Sequence, residues 1–171
     1  MKRYHFSITR SLFIAICMLL LSAFVLAENN ETFARDWTLS DAAGTSLNYY
    51  ADSNDSASVI LFWATWCPFC RSLMPHLQQV ADEFEDRTVK FYALNVWEDG
   101  DPDKYFQEKE FTFQLLLLAD LVAEDYGVLG TPGLMVMDKS HRIVYKRQSG
   151  ENDIDVKAAV RKAIQRVVDD D

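Results

Sequence analysis

Six consecutive apolar residues, Val59-Ile60-Leu61-Phe62-Trp63-Ala64, lead into Thr65-Trp66-Cys67-Pro68-Phe69-Cys70, and a helical pattern begins at the proline. The apolar run has strand length and no polar alternate. Both of its faces must therefore be buried, as in the centre of a parallel or mixed sheet. Pro68 suits a first helical turn, where its missing N–H would have no partner. Leu73, Leu77, Val80 and Phe84 then recur at helical spacing, which predicts a helix to about Phe84 with that face buried. The turn between strand and helix carries two cysteines.

The same alternation continues along the chain. Val89 to Val96 reads as a second central strand, Pro102 to Phe111 as a helix, Gln114 to Ala119 as a buried strand and Asp120 to Tyr126 as a short helix. Gly133 to Asp138 and Arg142 to Gln148 read as strands joined through Asp138-Lys139-Ser140-His141. Asn152 is placed to cap a final helix with the stripe Val156, Val160, Ala163, Ile164 and Val167. Upstream, Trp37 to Leu39 and Leu47 to Ala51 fit a hairpin around Asp41-Ala42-Ala43-Gly44, followed by a polar loop from Asp52 to Ser58. Strands alternating with helices imply crossover connections and an α/β sandwich.

The first residues have a different character. Lys2, Arg3 and Arg10 precede an apolar run from Ser11 to Ala27, and Val25-Leu26-Ala27 ends on a small residue before Glu28. This is the anatomy of a secretory signal peptide. At roughly 17 residues the run is at the lower limit for spanning a bilayer, so its alternative is an uncleaved anchor through residues 11–27. Ile16 before Cys17 argues against lipidation. The expected organisation is 1–27 signal peptide or anchor, 28–36 polar lead-in and 37–171 one domain, long enough for a real core. The whole chain has a net charge of −9, and loss of Lys2, Arg3 and Arg10 would make it more acidic by three. Such a surface argues against nucleic acid as a partner.

Cys67 falls at or next to the N-cap of its helix, where unpaired backbone N–H groups and the positive end of the helix dipole stabilise a thiolate. The thiolate is the nucleophile of disulfide exchange, so Cys67 is expected to attack and Cys70, within the first turn, to resolve. Other uses of the pair fare worse. A zinc site needs four ligands, and no second CxxC exists; His76 and His141 are isolated. A c-type haem site needs histidine after the second cysteine, where Arg71 stands. A structural staple closing so short a loop would stabilise little.

Phe62-Trp63-Ala64-Thr65-Trp66-Cys67-Pro68-Phe69-Cys70, Pro75 inside the helix and Tyr126-Gly127-Val128-Leu129-Gly130-Thr131-Pro132 together resemble the thioredoxin superfamily over about residues 45–168. The resemblance implies a three-layer thioredoxin-like sandwich with a central mixed sheet, a redox-active Cys67–Cys70 pair, no organic cofactor or metal, and a cis peptide before Pro132 facing the cysteines. Pro132 has no N–H, and its turn would leave the Thr131 backbone to pair with an extended substrate. Trp66, Pro68, Phe69, Thr131 and Pro132 are the expected substrate-binding residues. Trp63 is expected in the core, and Arg71 and His76 on the surface.

The stretch between Cys70 and Pro132 is longer than a plain thioredoxin needs. With the export pattern, its helix–strand insertion (Pro102 to Ala119) resembles the TlpA-like branch. That branch includes reductases of apocytochrome c and other extracytoplasmic disulfides, recharged by a membrane electron donor. Leu61 and Ala93 stand where thioredoxin keeps a buried aspartate and its lysine partner, so a relay through that aspartate is absent. Glu98 stands where TlpA-like reductases have an active-site glutamate. A partly desolvated carboxylate there would have a raised pKa and could exchange a proton with Cys70. Its alternative is a solvated acid in the run Glu98-Asp99-Gly100-Asp101. For the whole protein the leading expectation is an extracytoplasmic, periplasmic protein disulfide reductase. A disulfide oxidase or isomerase on the same fold stays open, as does a copper-binding or chaperone module, which the lack of a third ligand disfavours.

Overall fold

The computed structural model describes residues 32–169. The signal-peptide expectation for residues 1–27, with Cys17, lies outside them. The first element is the predicted hairpin, β1 (Thr38–Ser40) against β2 (Ser46–Asn48), turned at Gly44 with φ +82°. The predicted second strand stops early. The Asn48 side chain accepts from Ala51 N at 3.0 Å and caps a helical turn, α1 (Tyr49–Asp52), which drives Tyr49 fully into the core.

The chain then alternates as expected: β3 (Ala57–Trp63), α2 (Pro68–Glu83), β4 (Val89–Asn95), α3 (Pro102–Lys109), β5 (Gln114–Leu116), α4 (Asp120–Asp125), β6 (Gly133–Met137), β7 (Ile143–Lys146) and α5 (Asp153–Asp169). The sheet order is β5-β4-β3-β6-β7. β3 pairs parallel with β4, and β4 with β5; β6 and β7 run antiparallel. β3 is buried at every residue, which explains its unbroken apolar run. β5 is shorter than the predicted strand. Leu117 leaves it to bridge Ser40, and Leu118 turns outward with φ +56°.

Two cores flank the sheet. On one face Leu73, Met74, Leu77 and Val80 of α2 meet Val156, Val160, Ala163 and Ile164 of α5, with Phe106 of α3 beneath Trp63. On the other, Trp37, Tyr49 and Tyr92 pack together with Ala123 of α4 and Tyr126. The result is a three-layer sandwich. The register, Trp63 opposite Asn95 and Leu94 opposite Leu116, places the carboxyl ends of β3, β4 and β5 along one edge. β6 starts at that edge, with Gly133 opposite Phe62. Among the described residues no helix is long and apolar enough to cross a membrane.

Candidate redox site

The connections leaving β3, β4 and β5 and the one entering β6 meet at this edge. Cys67 is the N-cap residue of α2, and its Sγ accepts from Cys70 N at 3.2 Å. Pro68 occupies the first turn, as its sequence position requires. Cys67 and Cys70 are paired as a disulfide, with Cα atoms 5.3 Å apart. Both cysteines are buried, at 2% and 0% exposure, so burial does not rank them. The difference between them is the helix terminus, which faces Cys67. Beside them Trp66 and Phe69 are exposed at 46% and 69%.

The Thr131–Pro132 peptide is cis, as the second motif suggested. Pro132 is buried and Thr131 half-buried. Arg147, which was read from sequence only as a strand residue, donates from Nη1 to the Pro132 carbonyl at 3.4 Å. Its Nη2 donates to the Glu151 carbonyl at 3.1 Å. A guanidinium from the β7 side thus holds the proline turn, a role no local sequence signal announces.

Glu98 departs from expectation. Its carboxylate accepts from Thr65 N at 2.9 Å, Thr65 Oγ1 at 2.5 Å, Asn95 Nδ2 at 2.6 Å, Asp99 N at 3.0 Å and Gly100 N at 2.8 Å. Burial acts to raise its pKa, but these donors outweigh it and hold the group below the ordinary carboxylate value. The carboxyl is thus held below, not above, its ordinary pKa, against the expectation on which the relay to Cys70 was built. Nor is Glu98 a solvated loop acid. It ties the residue pair before Cys67 to the loop beyond β4.

Leu61 and Ala93, the two apolar replacements, are cross-strand partners and both buried. Trp63 is fully buried as expected, with Phe106 5.1 Å away between ring centroids. Arg71 is exposed and His76 half-buried. Sequence reading missed Trp97, Leu118 and Leu121, all exposed at the same edge. Leu118 sits in a leucine run that reads as core, and only its backbone conformation turns it out. Among the described residues no group of three or more histidine, cysteine, aspartate or glutamate side chains is placed to hold a metal.

The AhpC/TSA family model matches residues 31–146. Thiol-disulfide oxidoreductase ResA of Geobacillus thermodenitrificans is 28% identical over 115 residues, which cover 64% of each chain. Thioredoxin-like protein YneN of Bacillus subtilis is 25% identical over 140 residues, covering 80% of this chain and 76% of its own. The present chain therefore spans just under two thirds of ResA. A thiol:disulfide interchange protein of the DsbE type from Chlorobium tepidum superposes with a TM-score of 0.70 at 23% identity, covering 81% of this chain and 96% of that one. That likeness shows the fold, the thioredoxin-like α/β sandwich expected from the motifs.

Proposed function

The chain belongs to the AhpC/TSA family, and from that premise we propose that it is a thiol–disulfide oxidoreductase that reduces protein disulfides outside the cytoplasm. The observation that carries the chemistry is Cys67 at the N-cap of α2 with Cys70 N donating to its sulfur. In the reduced protein the same N–H and helix terminus favour the Cys67 thiolate. That thiolate attacks one sulfur of a substrate disulfide. The substrate S–S bond breaks, its leaving sulfur takes a proton, and a mixed disulfide joins Cys67 to the substrate. Cys70, deprotonated, then attacks the Cys67 sulfur and releases the second substrate thiol. Two electrons and two protons have passed to the substrate, and the Cys67–Cys70 disulfide remains. A dithiol donor must reduce it again, which is the place for a membrane electron donor.

In this reading Trp66, Pro68, Phe69, Thr131 and Pro132 form the substrate-binding set beside Cys67. The names of ResA and YneN support the reading, and the basic–apolar–small pattern of residues 1–27 supports export to the periplasm with or without a retained anchor. Apocytochrome c is one substrate consistent with it. The test is reduction of insulin by the dithiol form. Cys67→Ser should abolish turnover, and Cys70→Ser should trap mixed disulfides. Wild-type turnover by Cys67→Ser would overturn the assignment. The potential of the pair separates the two directions: a strongly oxidising value would make the protein an oxidase. Cell fractionation with mass analysis of the amino terminus checks export.

A further inference from the structure

At the edge where β3, β4 and β5 end, an apolar strip extends well beyond the two cysteines. Trp66 Nε1 donates to the Trp97 carbonyl at 2.7 Å, and Trp97 N donates to Asp120 Oδ1 at 3.0 Å. These bonds tie the connections after β3, β4 and β5 to one another. Trp66, Trp97, Leu118 and Leu121 lie on them, exposed at 46%, 37%, 85% and 74%. Large apolar side chains gathered in the open mark an interaction surface more than scattered exposure does. Two of the four are also held against backbone preference. Trp97 has φ +48° and Leu118 φ +56°, in the left-handed region that bulky side chains avoid. Strain of that kind concentrates where a fold presents residues for use.

The border of the strip is predominantly acidic. The connection beyond β4 and the start of α3 carry Glu98, Asp99, Asp101 and Asp103, with Lys104 as their only cation. Beyond β5 stand Asp120, Glu124 and Asp125 with no lysine or arginine before the proline turn. Lys104 pairs along its own helix with Glu108 at 3.9 Å, and Arg35 pairs with Asp125 at 3.3 Å. Asp99 is exposed and Asp120 half-buried beside Trp97. Arg71, exposed on α2 and close enough to act electrostatically on Tyr105 of α3, adds one positive charge.

We propose that this strip docks an extended, lysine- or arginine-rich segment of a protein substrate whose cysteines are to be reduced. The inference rests on the oxidoreductase reading and adds its substrate class. The apolar side chains take the substrate's apolar residues, and the carboxylates speed encounter and orient the segment toward Cys67.

The experiment compares three disulfides reduced by the full chain in its dithiol form. Two peptides share one Cys-X-X-Cys disulfide, flanked in one by lysines and in the other by glutamates. The third is uncharged hydroxyethyl disulfide. The lysine peptide should react about tenfold faster than the glutamate peptide at low ionic strength, and the gap should narrow as salt is added. Asp99→Asn with Asp120→Asn, which keep an acceptor oxygen, should shrink that preference. Leu118→Gly with Leu121→Ser should lower the rates of both peptides relative to hydroxyethyl disulfide. Equal rates for the two peptides, or a lysine preference that survives both salt and the asparagine substitutions, would overturn the substrate class and leave the chemistry standing. Failure to reduce any of the three would overturn the oxidoreductase reading itself.

Discussion

Glu98 gathers five donors onto one carboxylate, and they come from both sides of the active-site edge. Hydrogen bonds to a charged group contribute more than neutral ones, about 1.5–3 kcal/mol each at the upper end. Glu98→Gln keeps the shape and removes the charge. It should lower the unfolding free energy by about 1–3 kcal/mol, measured by urea titration. Because the carboxyl sits below its ordinary pKa, it is ionised throughout the neutral range. The same substitution should therefore leave the pH dependence of exchange near neutrality in place while changing its rate. A shifted profile would support the relay. Leu61 offers a second test at this scale. It is buried against Ala93, with no cation opposite. Leu61→Asp should cost about 3 kcal/mol or more, as an unpaired buried charge does, read as a fall in the urea midpoint.

Among the elements, the turn into β6 is held by packing from below and by Arg147 from the side. A Cβ added at Gly133 would meet Val128 Cγ1 at 2.7 Å and Phe62 Cβ at 3.4 Å. Gly133→Ala should destabilise the protein by about 1–3 kcal/mol, the range for overpacking, and should slow disulfide exchange by displacing the proline turn. At the opposite end of the sheet the turn between β6 and β7 carries His141, stacked on Tyr50 at 4.1 Å and hydrogen-bonded to Ser53 Oγ at 3.0 Å. Burial lowers the His141 pKa, with Asp36 and Asp138 opposing it. The folded state then binds fewer protons than the unfolded chain once pH drops through the ordinary histidine value of 6.5. Its contribution is full above that value and declines until pH passes the lowered folded pKa. His141→Asn, which tolerates the local φ of +62°, should flatten that part of the stability curve.

For the molecule as a whole, the segment from Pro102 to Leu116 is built into the sandwich rather than appended to it. β5 completes the parallel side of the sheet, and Phe106 lies under Trp63 and against Phe111. Phe106→Ala should cost about 3–5 kcal/mol and should loosen the active-site edge through Trp63, seen as faster amide exchange at Thr65 and Trp66. Much of this architecture was legible beforehand. An apolar run of strand length fits a strand buried on both faces, a proline after Cys67 fits the first turn of a helix, and Asn152 caps the last helix as read, Asp155 N donating to it at 3.0 Å. Such features are local, so the residues that carry them also decide them. The placement of Cys67 at a helix terminus, and the chemistry that follows from it, belong to this group. The tertiary structure decided the state of Glu98, because beside its local donors Asn95, Asp99 and Gly100 it takes two hydrogen bonds from Thr65, on the connection after β3. It alone turned Leu118 and Trp97 outward, and it alone brought Arg147 to Pro132. In each case the deciding term is a contact between segments distant in sequence, or a backbone angle imposed by such contacts, which no spacing along the chain encodes.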